Sequence, residues 1–277
     1  MSAQPIISFI TPCFNRRSFL ARCIESIPEA FRGQVEHIIV DGGSTDGSLE
    51  LIRTYPHVRL LSEPDEGLYD AANKGIRMAR GQYVGFLATD DFISASFFEK
   101  FLRPDGEWMS GAPVLTFDFV NHAGEAKRHC HASSFDIEGI FNGRTPLFST
   151  LVKRDILAGI GGFNTSYRIA GDFDLTLRLA RIGVEYRASS YLMQNFWMHD
   201  GSLTGHSGAV RDREYGEIIR IIAANFASLV FKPGFLHSAR EKTGYVARYF
   251  YRTKGLKPLL SNWRLMCLVV AMAVDFR

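Results

Sequence analysis

The sequence predicts an α/β protein with a mainly parallel central sheet flanked by helices, and three observations carry that prediction. Over the first hundred residues, short β-branched or aromatic runs alternate with longer segments whose apolar residues recur at helical spacing. Polar clusters at residues 11–15, 41–46 and 89–91 fall where the strand-like runs end, which is where open parallel sheets place their ligands. The composition, 46% hydrophobic and 22% charged, suits a chain that buries a core rather than a disordered one.

Taken in order, the strands are expected at residues 6–11, 35–41, 58–62 and 83–88, and the helices between them at 17–30, 46–55 and 68–80. Gly33 and Gly81 stand where helices stop. Strand, helix, strand in succession requires right-handed crossovers and therefore parallel pairing. A further helix starts near Ser94. Beyond Phe101 the pattern changes to a turn-rich stretch, a hairpin at 121–124, a strand at 147–152, a helix at 172–182, a strand at 186–191, and helices at 214–229 and 236–251. A length of 277 residues fits one domain with an extension, divided here as 1–205 and 206–277.

Several classes are disfavoured. A net charge of +3 is too small to indicate nucleic acid. Cys13, Cys23, Cys130 and Cys267 lack the close pairing of zinc or redox motifs and read as reduced thiols of a cytoplasmic protein. The N-terminus has no basic region or cleavage site, so secretion is not expected. The apolar run 265–274 is about half of the ~20 residues a membrane-spanning helix needs. Residues 240–277 mix basic and aromatic side chains, which fits a helix lying on the inner face of the cytoplasmic membrane and equally a helical pair packed on the core.

Chemistry concentrates in the polar clusters. Asp90 and Asp91, at a strand end, supply the hard oxygen ligands that Mg²⁺ or Mn²⁺ prefers, although adjacent acids there can also cap the next helix. The run Asp41-Gly42-Gly43-Ser44-Thr45-Asp46 leaves a strand through two glycines, as a tight turn or as a close approach to a ligand. Neither a G-x-x-x-x-G-K-S/T loop nor a G-x-G-x-x-G turn is present, which disfavours kinases and dinucleotide-dependent dehydrogenases.

Five pieces in order, Thr11-Pro12-Cys13-Phe14-Asn15, Val40 with the run from Asp41 to Asp46, Glu66-Gly67-Leu68-Tyr69-Asp70-Ala71-Ala72-Asn73-Lys74-Gly75, the segment 81–91, and Gly171-Asp172-Phe173-Asp174-Leu175, resemble family 2 glycosyltransferases over roughly residues 5–205. The resemblance implies the GT-A fold, a nucleotide-binding Rossmann-like half with an acceptor half, and inverting transfer from a nucleotide sugar, UDP-linked first, to a saccharide or lipid-linked saccharide of the bacterial surface type. It places Thr11, Phe14, Asn15 and Asp41 around the base, and Asn73 and Lys74 near the donor. Asp90 goes to the ribose or metal side, Asp91 to the Mn²⁺ or Mg²⁺ ion, and Asp172 to the general base. His199, beside a glycine-serine loop, is a candidate additional metal ligand or a hydrogen-bonded surface residue. Lys74 also reads as a solvated helix position, and Asp172 also as a helix cap. The family stretch at Asp172 often reads Glu-Asp, and Gly171 departs from it. A nucleotidyltransferase and a non-catalytic nucleotide-binding or scaffold homologue are the rival readings. No organic cofactor and no nucleic acid are expected.

Overall fold

A computed structural model describes residues 4–102, 111–123, 126–130, 147–199 and 208–229. The strand-like runs of the first hundred residues become β1 (Ile7–Cys13), β2 (Val35–Asp41), β3 (Val58–Ser62) and β4 (Tyr83–Phe86). Pairing is parallel throughout this half, β3 with β2, β2 with β1 and β1 with β4. Nearly every residue of β1, β2 and β4 is buried, because helices cover both faces of the sheet. Their continuous apolar runs follow from that.

The described sheet has nine strands in the order β3-β2-β1-β4-β8-β6-β9-β5, with β7 paired to β6. Its second half is β5 (Phe92–Ile93), β6 (Val114–Ala123), β7 (Ala126–Cys130), β8 (Thr150–Lys153) and β9 (Tyr186–Met198). Here β8 joins β4 and β6 antiparallel, whereas β6 and β9 run parallel. The β6–β9 ladder is irregular. Phe117 pairs with Ser189 and Phe119 with Gln194, so β9 bulges where β6 runs straight.

The helices are α1 (Arg17–Glu25), α2 (Ser48–Arg53), α3 (Leu68–Met78), α4 (Ala95–Phe101), α5 (Arg154–Gly159), α6 (Gly171–Arg181) and α7 (Gly208–Leu229). On one face of the sheet α3, α5 and α6 bury Tyr69, Ile76, Leu157, Leu175 and Leu179 with Phe163 against Ile10, Val84 and Phe86. On the other, Phe97, Phe98 and Phe101 of α4 pack on Phe9, Tyr83 and Phe117. Ring pairs such as Phe97–Phe117, 5.1 Å apart and edge to face, lock that layer.

Some boundaries differ from expectation, each for a local reason. α1 ends at Glu25, and beyond it Pro28 opens a separate 3₁₀ turn, Glu29–Phe31, from an extended backbone. α2 starts at Ser48 rather than 46, because the Asp46 carboxylate accepts the Ser48 amide (3.0 Å) and Gly47 turns left-handed with φ 86°. The expected strand 147–152 is a 3₁₀ turn, Leu147–Ser149, followed by β8. β5 was not expected, and β9 has 13 residues. α7 starts at Gly208, earlier than 214. The expected helix 236–251, the basic aromatic tail and Cys267 lie outside the described residues, while Cys13 and Cys23 are free and buried. Among the described residues no helix is long and apolar enough to cross a membrane.

Candidate functional site

The loops after β1 and β2 leave the sheet level with each other, since Cys13 pairs with Asp41. They are then stitched together. The Asn15 amide donates to Ser44 Oγ (2.8 Å), Asn15 Oδ1 accepts the Thr45 amide (2.8 Å), and the Arg17 amide donates to Asp46 Oδ2 (3.0 Å). Asn15 takes a left-handed φ of 54° to do this, which asparagine tolerates. Asp41 is 0% exposed and accepts the amides of Gly43 (3.2 Å) and Ser44 (3.2 Å) and the Ser62 hydroxyl (2.9 Å). It folds the loop around itself. Thr11 is also buried, with its hydroxyl against His37 Nε2 (2.8 Å), so the structure does not bring that side chain to the surface of the site. Phe14, 60% exposed, stands out from this same edge.

Asn73 and Lys74 both lie on α3, and both side chains are engaged by partners within the chain. Asn73 clamps a backbone turn, donating from Nδ2 to the Phe163 carbonyl (2.9 Å) and accepting the Phe163 amide at Oδ1 (2.8 Å). Lys74 donates to the Pro64 carbonyl (2.7 Å) and pairs with Glu63 (3.0 Å) and Asp70 (3.4 Å). The Glu63 hydrogen bond, with Asp70 beside it, holds the ammonium above the usual lysine range. Its charge is compensated from within the chain.

The two acids after β4 separate in role. Asp91 is 4% exposed and points at β9, where Oδ1 accepts the Trp197 amide (2.9 Å) and Oδ2 accepts Gln194 Nε2 (3.1 Å). Burial, then the neighbouring Asp90, pushes its carboxyl up to about 7. The Asp90 carboxylate instead meets His199, with Oδ2 3.0 Å from Nε2 and the two side chains 15% and 21% exposed. The Asp91 oxygens are thus directed at β9, while Asp90 with His199 is the more exposed of the two pairings.

That pair fits a divalent cation. A separation of 3.0 Å is that of adjacent ligands on an octahedral ion whose bonds are about 2.1 Å long. Among the described residues no group of three or more His, Cys, Asp or Glu side chains could hold a metal, so water or ligand oxygens would complete the shell. The pair is held by α1. The Phe19 ring stacks on His199 (centroids 4.6 Å apart, 22° between planes). One turn on, the Arg22 guanidinium lies between Phe92 (4.7 Å) and Trp197 (4.6 Å) and donates to the Asp90 carbonyl (2.7 Å). Residues three apart on α1 thus meet Trp197, near the end of β9, and His199, just beyond it.

Asp172 lies in the first turn of α6, with Oδ1 accepting the Phe173 amide (2.8 Å). Its backbone amide donates to the Tyr69 hydroxyl (3.3 Å), which itself donates to the Ile169 carbonyl (2.5 Å). Tyr69 heads α3, so Asp172 is brought to the carboxyl edge of the parallel strands. The same ring accounts for Gly171: a Cβ there would sit 2.6–2.8 Å from Tyr69 carbons. Burial, then Asp172, raises the Tyr69 phenol well above its usual range, so it acts as a neutral hydrogen-bonding post.

Comparison with known proteins bears on the family and the fold. The model of the family described as Glycosyl transferase family 2 matches residues 8–168. The chain belongs to that family. It is 28% identical over 183 residues to a PGL/p-HBAD biosynthesis glycosyltransferase of Mycobacterium bovis, covering 64% of this chain and 70% of that protein. S. aureus TarS 1-349 in complex with UDP-GlcNAc superposes with a TM-score of 0.64 at 17% identity, over 98% of this chain and 80% of that one. The chain spans about half, 47%, of the longer TarS chain. The mannosyltransferase PcManGT of Pyrobaculum calidifontis, in complex with GDP-Man and Mn²⁺, superposes with a TM-score of 0.57 at 18% identity, over 99% and 87%. The fold is therefore GT-A, and the chain is a glycosyltransferase of family 2.

For this glycosyltransferase, the residues that sequence reasoning missed are those acting across elements. Tyr69 lay inside a quoted motif without an assigned role, and Phe19, Arg22 and Gln194 carried no local signal. Their contacts with the site span 68 positions of chain, from Arg22 to Asp90, up to 180, from Phe19 to His199.

Proposed function

We propose that the chain transfers a sugar from a UDP-linked donor to a hydroxyl of a saccharide or lipid-linked saccharide, with inversion at the anomeric carbon and dependence on Mn²⁺. The observation that carries this reading is the Asp90–His199 pair at the carboxyl edge of the sheet, two outward donors at the spacing of one cation's ligands. Mn²⁺ and Mg²⁺ both suit a carboxylate such as Asp90, and Mn²⁺ is chosen between them on the Mn²⁺ complex of the mannosyltransferase neighbour. When bound, such an ion supplies positive charge against the departing diphosphate. The mannosyltransferase neighbour with Mn²⁺ supports a metal, and the TarS complex with UDP-GlcNAc supports a UDP-linked donor.

In this reading Asp90 and His199 hold the diphosphate end of the donor through the ion. Phe14 stacks on the base, and Asp41, Asn15 and Thr11 keep its loop in shape from below. Asp172 takes the proton from the acceptor hydroxyl as that oxygen bonds to the anomeric carbon and the bond to UDP breaks. The placement of Asp172 in the first turn of α6, beside the Tyr69 hydroxyl, supports this. The Gly171 departure does not weigh against catalysis, because Tyr69 fills the space that a side chain there would need. The acceptor half and the division at 205 belong to the same proposal.

The test is calorimetric binding of UDP, GDP and dTDP, each with and without Mn²⁺, followed by transfer assays with the sugar of the nucleotide that binds. Metal-dependent binding of UDP supports the reading. GDP binding alone would reassign the donor, and metal-independent binding would remove the role of Asp90 and His199.

A further inference from the structure

We infer that Glu217, on α7 beyond the family-matched segment, positions the base Asp172 and thereby sets the transfer rate without touching either substrate; the inference rests on the base role proposed above. Glu217 is 2% exposed. Its carboxylate accepts three consecutive backbone amides: Oε1 takes Arg168 (2.9 Å), and Oε2 takes Ile169 (2.8 Å) and Ala170 (2.9 Å). A buried carboxylate is costly unless its lone pairs are satisfied, and a run of successive N–H groups aimed at one anion satisfies them. Among the described residues its charged partner is Arg220, 3.9 Å away and itself over the Tyr167 ring.

These three residues are the ones that lead into α6. Ile169, held by Glu217 through its amide, accepts the Tyr69 hydroxyl through its carbonyl, and that same hydroxyl receives the Asp172 amide. The path Glu217, residues 168–170, Tyr69, Asp172 consists of hydrogen bonds throughout. None of its links reaches the Asp90–His199 pair. A loss at Glu217 should therefore move Asp172 and leave the donor end of the site as it was.

The experiment uses the full chain, with kcat, donor KM and Mn²⁺-dependent UDP affinity measured for Glu217→Gln, Tyr69→Phe, the double variant and Asp172→Asn. Gln keeps the shape of Glu but turns an N–H₂ toward amides that need an acceptor. The expected result is a fall in kcat of about 10–100-fold for Glu217→Gln with KM and UDP affinity within about twofold, the size of effect supporting residues have on the groups they orient. Tyr69→Phe should behave likewise, and the double variant should lose less than the product of the two, because the residues share one path. Wild-type kcat in either single variant, or a parallel loss of kcat and UDP affinity, would overturn the positioning role while an inactive Asp172→Asn leaves the base assignment standing. Full turnover by Asp172→Asn would overturn the base assignment and this inference with it. If Glu217→Gln does not fold, Tyr69→Phe decides by the same readouts.

Discussion

Asp90 and Asp172 stand at the same edge of one sheet, yet the protein secures them by opposite means. On the Asp90 side the supports are flat groups in stacks, Phe19 on His199 and Arg22 between Phe92 and Trp197. On the Asp172 side they are hydrogen bonds along a backbone, from Glu217 through Ile169 to Tyr69. Stacking tolerates small slides of one ring over another, which suits the ion-binding role proposed for Asp90 and His199. A hydrogen-bonded chain fixes direction more tightly, which suits the base role proposed for Asp172. The difference teaches that the two edges have separate supports, so that under the proposed function binding and proton transfer should fail separately.

The sharpest break compares Asp90→Asn with Asp172→Asn. The first should abolish the Mn²⁺-dependent part of UDP binding and transfer with it; the second should keep UDP binding and lose about 10²–10⁴-fold in transfer, as removal of a general base does. Calorimetry beside a turnover assay separates them, and loss of Mn²⁺-dependent binding in both would mean the two sides are one unit. Next, Phe19→Ala should raise the Mn²⁺ concentration for half-maximal activity by about 10-fold or more while saturating activity stays near wild type, because it removes the ring that orients His199. An unchanged Mn²⁺ titration would deny the stack any part in metal affinity.

Gly171→Ala sharpens the other side. Its methyl would press into the Tyr69 ring, so a destabilisation of about 1–3 kcal/mol is expected in urea unfolding. A neutral outcome would show that Tyr69 moves aside easily and is a poor post. The smallest effect belongs to neither side. Burial pushes His37 down to about 3, against about 6.5 in the unfolded chain. The unfolded state therefore binds the proton first, and the stability that neutral His37 protects is complete above pH ~6.5 and lost as pH falls from there toward 3. His37→Gln should flatten the stability profile between pH 6 and 5 by about 1 kcal/mol, read from urea midpoints at each pH.

The parallel half of the sheet was legible because its strands are buried on both faces and its helices show one apolar stripe, two patterns that survive without knowledge of partners. The site was legible in place but not in detail. Asp90 and Asp91 lie in the turn between β4 and β5, and which of them faces inward depends on where β9 offers the Trp197 amide, more than 100 positions away. The same holds for Asn73 and Lys74. Their motif marks an important turn of α3, but what each side chain grips, Phe163 in one case and Glu63 with Pro64 in the other, is set by tertiary contact. β5 is too short at two residues to leave a periodic signal.

The irregular stretch of β9 has a consequence for how this chain can change. While β6 advances two residues, from Phe117 to Phe119, β9 advances five, from Ser189 to Gln194. Three extra residues are an odd number, and along a strand an odd offset exchanges the two faces. Lengthening or shortening this stretch by one residue would send Gln194 outward and carry Trp197 and His199 to the wrong side of the sheet, whereas a change of two would preserve every assignment. Insertions and deletions between residues 189 and 194 should therefore be tolerated by parity, even lengths passing and odd lengths disrupting the Asp90–His199 side of the site.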